Sequence, residues 1–381
     1  MYLNLTIFLR ALYITLLKRP FSLRRWFWVS LFSLLFWLTW CLIAIGRMLD
    51  HVFFPGFKKQ EIKQPIFIVG TPRSGTSYTQ SLMCLDHEQF AYLTLLQTIF
   101  PVVVYHRLFA LCGWLDARSG RILSRTISWL ERKFFGGWDD RHYMSLNQSE
   151  EDEALFLFCL MSESIFMLFP YIEELWEVAF PDTLPERQRQ KLMHYYRSSI
   201  QRHLYATGGD RIFLSKSTSF AGRIDSMLAA FPDARIIHLV RHPYQTIPSH
   251  VSLFHQAWNL HFPEIDKASP ESKAYARVAV NWYRNMLEKQ GQFQPSQYLR
   301  VPYTELAADP QRTIEGIYRY FGLPLREAFL TRLQSATRQS RNYRSKHVYS
   351  LEEYGLSRQW IQRELGEVMA CLLYTSDAAD D

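Results

Sequence analysis

The sequence predicts an α/β protein, a P-loop-like parallel sheet flanked by helices and preceded by an N-terminal hydrophobic membrane helix. Three observations predict it. From Pro65 onward, short β-rich runs alternate with helical stretches. One strand-to-helix junction, Gly70 to Ser77, has the composition of an anion-binding turn. Ahead of both lies a charge-free apolar run. The expected organisation is a hydrophobic anchor region over 1–64, a main domain over 65–370 and a non-native-looking tail over 371–381.

The apolar run is FWVSLFSLLFWLTWCLIAIG, residues 27–46, twenty residues without a charge. As a helix it spans ~30 Å, the thickness of a bilayer core. Arg24, Arg25 and Arg47 close its ends, and Trp26 and Trp28 suit the headgroup belt. A buried core helix is the other reading. A cleaved signal peptide fits poorly, because the run begins late and lacks a small-residue cleavage site. Five basic residues precede the run and four follow it, so the charge rule does not orient it. Residues 2–17 are also apolar and predict a short pass or an in-plane helix.

In the main domain, strands are expected at 66–69, 211–214, 235–240 and 298–301, where β-branched and aromatic residues cluster. Helices are expected at about 76–86, 219–230, 244–255 and 309–321. That alternation implies a parallel sheet with helices on both faces. The last eleven residues, CLLYTSDAADD, lose helical periodicity and look like translated adapter sequence. The formal net charge of +7 suits an anionic partner. No basic block of the kind that binds duplexes is present, so nucleic acid is not expected. The five cysteines show no CxxC or CxH spacing, and no metal site is expected.

Two segments carry anion-binding chemistry. In PIFIVGTPRSGTSYTQSLM, residues 65–83, a strand ends at Gly70 and a helix follows the loop. Backbone N–H groups of such a loop, with a helix N-terminus behind them, cradle an anion. The spacing is that of a Walker A loop, but Thr76 stands where the lysine belongs, and the loop's cation is Arg73. A nucleoside triphosphatase needs that lysine and a magnesium ion. In ARIIHLVRHPYQTIPSHVSLF, residues 234–254, a strand delivers Arg241 and Pro243 opens a helix. Ser249 follows Arg241 by eight residues, on that helix. Ligands of parallel α/β sheets bind at the carboxyl ends of strands, so the pair can grip one phosphate.

TPRSGTS resembles the 5′-phosphosulfate loop of sulfotransferases, and RHPYQTIPS resembles their 3′-phosphate site. The resemblance covers about residues 65–368 and is to the membrane-associated and bacterial branch. It implies the donor 3′-phosphoadenylyl sulfate (PAPS), in-line sulfuryl transfer to an acceptor hydroxyl or amine, and no metal. Arg73, Ser74, Gly75, Thr76 and Ser77 would hold the 5′-phosphosulfate, and Arg241 and Ser249 the 3′-phosphate. Lys216, in FLSKSTSFAGRI, resembles the lysine that neutralises the bridging oxygen as the sulfuryl group leaves. Relatives often carry a catalytic histidine two residues later, where this chain has Thr218. Another branch carries a glutamate near the place of Gln97.

The base is therefore expected from SLNQSEEDEALFLF, residues 145–158, with Glu151 and Glu153 as candidates and His142 as a weaker rival. The competing account makes the acids a helix start, with Ser149 and Asp152 as a capping box. Arg344, Lys346 and His347 also fall where late basic residues of relatives approach the nucleotide. Two other functions stay open: a P-loop kinase-like enzyme, and a catalytically inactive membrane protein of the same fold. The acceptor is not legible; carbohydrate, lipid and phenol all fit, with membrane lipids as a further partner of the N-terminal segment.

Overall fold

A computed structural model describes residues 1–122, 125, 126, 129, 148–340 and 350–371. His142, Arg344, Lys346, His347 and the tail beyond Cys371 lie outside the described residues. In chain order the regular elements are α1 (Leu5–Tyr13), α2 (Leu23–Phe53), β1 (Ile66–Val69), α3 (Thr76–Met83), β2 (Phe90–Ala91), α4 (Leu95–Ile99) and α5 (Val103–Arg118). They continue with α6 (Glu153–Leu157), α7 (Glu186–Thr207), β3 (Ile212–Ser217), α8 (Ile224–Ala230), β4 (Arg235–Val240), α9 (Pro243–His261) and α10 (Pro270–Lys289). The last are β5 (Tyr298–Pro302), α11 (Tyr303–Ala308), α12 (Pro310–Tyr320), α13 (Glu327–Ser340) and α14 (Arg358–Cys371).

The sheet has five parallel strands in the order β2-β3-β1-β4-β5. Strand alternation divides its side chains between two cores. Phe67, Val69, Phe213 and Ile236 face one apolar cluster; Ile66, Ile68, Leu214 and Ile237 face the other. All four residues of β1 are buried, as the central strand of a sheet covered on both faces requires. The chain leaves β1 toward the β2–β3 edge and leaves β4 toward β5. The crevice between the carboxyl ends of β1 and β4 is thus the topological switch point, where such sheets bind ligands.

The four expected strands are present, but β3 runs on to Ser217 and so carries Lys216 within its carboxyl end. The two-residue strand β2 is too short for periodicity to reveal. Helix α9 runs through Pro248 to His261, well past the expected end.

The apolar run 27–46 is the middle of the 31-residue α2. It is the one helix among the described residues long and apolar enough to cross a membrane. Its inner face packs on the main domain. Phe36 stacks on Phe158 with ring centroids 6.2 Å apart, and Val29, Phe36 and Ile43 join the core on that face of the sheet. Arg25 and Arg47, at the two ends of α2, turn inward. Arg25 pairs with Glu264 and lies over the Phe262 ring at 4.1 Å. Arg47 donates to Ser199 Oγ at 3.0 Å and covers Tyr195.

Asp50 is fully buried. One of its oxygens accepts from Arg202 Nε on α7 at 2.8 Å and from Val103 N at 3.0 Å, and the other accepts from Val104 N at 2.9 Å. It thereby satisfies two orphan amides at the start of α5 while tying α2 to α7. Removing one partner of a buried pair leaves an uncompensated charge. Arg202→Met should lower unfolding free energy by ~3–5 kcal/mol in detergent-solubilised protein. Chemical denaturation measures this; a change within about 0.5 kcal/mol, typical of a surface substitution, would mean the pair does not anchor the helix.

Candidate active site

The loop between β1 and α3 is shaped by two glycines and one strained arginine. A Cβ on Gly70 would stand 2.5 Å from the Leu239 carbonyl oxygen, so β1 and β4 can lie this close only with glycine there. Gly75 has φ 89°, and a Cβ on it would meet Leu306 Cδ2 at 2.9 Å. Arg73 adopts φ 74°, which is strained for a residue with a side chain and persists where surrounding structure enforces it. The enforcing contact is visible: Arg241 Nη1 donates to the Arg73 carbonyl at 2.8 Å. Helix α3 then starts at Thr76, presenting its N-terminus to the crevice.

Arg241 is held from three sides. Its guanidinium lies over the Tyr303 ring at 4.1 Å, and its Nε donates to Gln245 Oε1 at 2.9 Å. Its carbonyl accepts from Tyr283 OH at 2.7 Å, and Tyr283 also bonds Thr246 Oγ1 at 2.8 Å. The two anion motifs, far apart in sequence, thus meet at the switch point. Ser249 is buried on α9, and its hydroxyl has no hydrogen-bond partner among the described residues. An orphaned buried hydroxyl fits a site shaped for an added acceptor such as a phosphate oxygen.

Lys216 is 1% exposed at the end of β3. Its Nζ donates to Ser77 Oγ at 2.8 Å and pairs with Glu151 Oε1 at 2.8 Å. An ammonium has three donors, and these contacts use two of them. The other oxygen of Glu151 accepts from Thr218 Oγ1 at 3.2 Å. Thr218, where relatives carry a histidine, therefore holds the carboxylate instead.

The two candidate glutamates occupy different environments. Glu151 is partly exposed beside Lys216. Glu153 is buried, pairs with the fully buried Arg223 and accepts from Ser219 Oγ. Arg223 in turn lies over Phe156 at 3.8 Å. The structure brings Lys216, Ser77 and Glu151 together and sends Glu153 into the core.

The capping-box account of the acidic run fails. Ser149 pairs with Thr94 in an isolated β-bridge, and α6 begins only at Glu153 with no side-chain cap. Asp152 turns inward, accepting from Ser215 Oγ at 2.5 Å and from Tyr196 OH. The Thr94 and Gln97 side chains form their own capping box on α4, which gives Gln97 a structural place. The sequence reading missed Tyr283, Tyr303, Arg223 and the part Thr218 plays in holding Glu151. Of these only Thr218 carried a signal, as a departure from the histidine of relatives.

A sulfotransferase family model matches residues 65–327, more than half of the chain. The chain belongs to the sulfotransferase family. Of the three readings of the sequence, the transferase is the one this keeps, and the protein is a sulfotransferase enzyme. A curated relative, the omega-hydroxy-beta-dihydromenaquinone-9 sulfotransferase Stf3 of Mycobacterium bovis, is 24% identical over 365 residues, covering 91% of this chain and 84% of its own. The Mycobacterium tuberculosis protein of the same name matches equally. The fold is shared with sulfotransferase STF9 from Mycobacterium avium, with TM-score 0.71, 18% identity, and coverage of 87% of this chain and 82% of that one. Sulfotransferase STF1 from Mycobacterium tuberculosis gives TM-score 0.62 at 20% identity, covering 86% and 83%.

One group in this sulfotransferase has a pH consequence. Burial, ahead of the opposing hydrogen bonds from Ser215 and Tyr196, pushes the Asp152 carboxyl up from 3.8 to about 7. Between those values the folded chain holds a proton that the unfolded chain has released. Stability from this group is therefore full below pH 3.8 and declines as pH rises toward about 7. The slope is at most ~1.4 kcal/mol per pH unit. Asp152→Asn should flatten the wild-type fall in unfolding free energy across that window. Denaturant titrations at stepped pH compare the two, and parallel profiles would show that Asp152 is ionised in the fold.

Proposed function

We propose that this sulfotransferase moves the sulfuryl group of PAPS onto a hydroxyl of an apolar, membrane-resident acceptor, working at a membrane surface. The observation that carries the reading is the Lys216 node, in which one buried ammonium joins Ser77 of the anion loop to Glu151. The acceptor class draws on the relative whose name gives its acceptor as omega-hydroxy-beta-dihydromenaquinone-9, and on the apolar helix α2.

The chain's own groups support an in-line transfer. The loop amides of residues 73–77 and the α3 N-terminus hold the 5′-phosphosulfate. Arg241 and Ser249 take the 3′-phosphate. Glu151 accepts the proton of the acceptor hydroxyl as its oxygen bonds to sulfur. The bond from sulfur to the bridging oxygen breaks, and its electron pair leaves on adenosine 3′,5′-bisphosphate. Lys216 neutralises that oxygen, where charge grows only as the bond breaks, so it favours the transition state over the ground state. Glu153 is buried against Arg223 and takes no part in the transfer. The direct experiment incubates the full chain with sulfur-labelled PAPS and an ω-hydroxylated polyprenyl alcohol, with a sugar and a phenol alongside. Label should pass to the polyprenyl alcohol. Label on the sugar or phenol alone would overturn the acceptor class, and label on none would overturn the transfer.

Two variant sets separate the roles. Glu151→Gln should lose ~10²–10⁴-fold in turnover while donor affinity stays near wild type. Glu153→Gln should chiefly lose stability, because the fully buried Arg223 loses its counter-charge. Turnover lost in Glu153→Gln without a stability change would exchange the assignments.

Donor recognition is tested at Arg241. Arg241→Ala should raise the donor dissociation constant roughly 10- to 150-fold, the loss of ~1.5–3 kcal/mol for a charged hydrogen bond. Adenosine 5′-phosphosulfate, which lacks the 3′-phosphate, should bind both proteins alike. Equal loss for both ligands would mean that Arg241 acts through its bond to the Arg73 carbonyl.

A further inference from the structure

The N-terminal helices present two unlike faces. The inner face of α2 is fastened to the main domain at both ends by the buried Arg25, Arg47 and Asp50. Near its C-terminal end α2 lies tight on α5: a Cβ on Gly46 would stand 2.7 Å from Tyr105 Cε2 and 2.8 Å from Val102 Cγ1. Tyr105 OH also donates to the Leu42 carbonyl at 2.8 Å. On the other side, Phe8 of α1 packs edge-on against Trp37 of α2 with centroids 5.8 Å apart. The three helices α1, α2 and α5 are therefore neighbours in one layer.

The outer face is apolar. On α2, Leu34, Leu35, Leu38, Ile45 and Met48 are each 52–70% exposed. On α5, Leu108, Leu111, Trp114 and Leu115 are 48–52% exposed. On α1 and the turn after it, Leu9, Tyr13 and Leu17 continue the surface. An apolar surface of this extent marks an interaction site.

Charge decides the occupant. Residues 1–49 contain six Lys/Arg and no Asp or Glu. From Val103 to Trp129 there are four arginines and one acid, Asp116, which is buried. The exposed charges carried by these helices and their described flanks are Lys18, Arg24, Arg107, Arg118, Arg121 and Arg125, all cations, while the neighbouring acids Glu177, Glu271 and Glu264 are paired with Arg10, Arg19 and Arg25. A second copy of this face would set cation against cation. An anionic bilayer surface complements it, since long basic side chains reach headgroups while their neighbours enter the acyl boundary.

We propose that α1, α2 and α5 together form an in-plane docking face for an anionic lipid bilayer, and that α2 lies along the membrane rather than through it. A helix crossing the bilayer has lipid or protein on every side. Here α2 reaches lipid only by its outer face, and freeing the rest would strand Asp50 and Arg202, which are paired at 2.8 Å. The arrangement deepens the membrane reading above without resting on the transfer chemistry, and its test is read apart from turnover.

The test uses the purified full chain and vesicles of phosphatidylcholine with or without phosphatidylglycerol. The protein should float with the anionic vesicles about tenfold more strongly than with neutral ones. Leu38→Glu should weaken flotation about tenfold or more at an unchanged unfolding midpoint. Topology is read in sealed membrane vesicles with single cysteines at Leu23 or Phe53, the helix ends, after Cys41, Cys112 and Cys371 are replaced by serine. Both sites should react with an impermeant maleimide from the side that carries the main domain. Reaction from opposite sides would show a spanning helix and overturn the proposal. So would absence of flotation, or a lipid-free dimer that Leu38→Glu disperses.

Discussion

The site depends on one constraint: an ammonium buried at the end of a central strand must have an anionic partner. Lys216 is 1% exposed, in a strand packed between two apolar cores. Water cannot solvate it there, and a buried charge is costly unless an opposite charge stands against it. Glu151 meets that need, and the acidic run must then stay extended to reach across β3. The backbone shows the consequence: Glu150 N bonds the Leu93 carbonyl, and α6 starts only at Glu153. The helix start expected at Ser149 gives way to a strand-like segment because the lysine needs its partner.

The same reasoning explains what was legible in the sequence. The strands at 66–69 and 235–240 are buried apolar runs with clear boundaries, and the loop between Gly70 and Ser77 carries its chemistry in consecutive residues. Features that are local in sequence can be read from it. The contact between Arg241 and the Arg73 carbonyl joins residues 168 positions apart, and the bond from Tyr283 to Arg241 joins residues 42 apart. Tyr283 has no local mark, because its role is set by where α10 docks. The split between Glu151 and Glu153 was illegible for the opposite reason. The two residues are adjacent in pattern and identical in type, and their partners, Lys216 for one and Arg223 for the other, distinguish them.

The N-terminal segment shows a limit of composition. Twenty apolar residues describe a helix that avoids water, without saying whether lipid or protein replaces it. The charges at its ends carry the missing information. Arg25 and Arg47 looked like flanks, and both, like Asp50 beyond them, are buried against the main domain. An acid placed to bind two amides of α5 and an arginine of α7 belongs to a packed interface. The segment read as a separate anchor thus shares a core with the sheet, through Phe36, Phe158 and Ile43.

The proposed transfer is balanced in charge within the site. Glu151 and Lys216 form a neutral pair that can rearrange without importing charge. In the proposed transfer, Glu151 ceases to be an anion as it takes the acceptor's proton, and its hold on Lys216 weakens. At the same moment the bridging oxygen becomes one. The ammonium can then shift its attraction from the acid to the leaving oxygen with little motion, because Ser77 holds it from the loop side at 2.8 Å. Such coupling makes deprotonation of the acceptor and departure of the nucleotide mutually supporting, in a site where fixed groups stabilise developing charge better than water would. It also gives Thr218 a reason to replace a histidine. With Glu151 as the proposed base, the position needs only a hydroxyl to orient the carboxylate, and Thr218 donates to it at 3.2 Å.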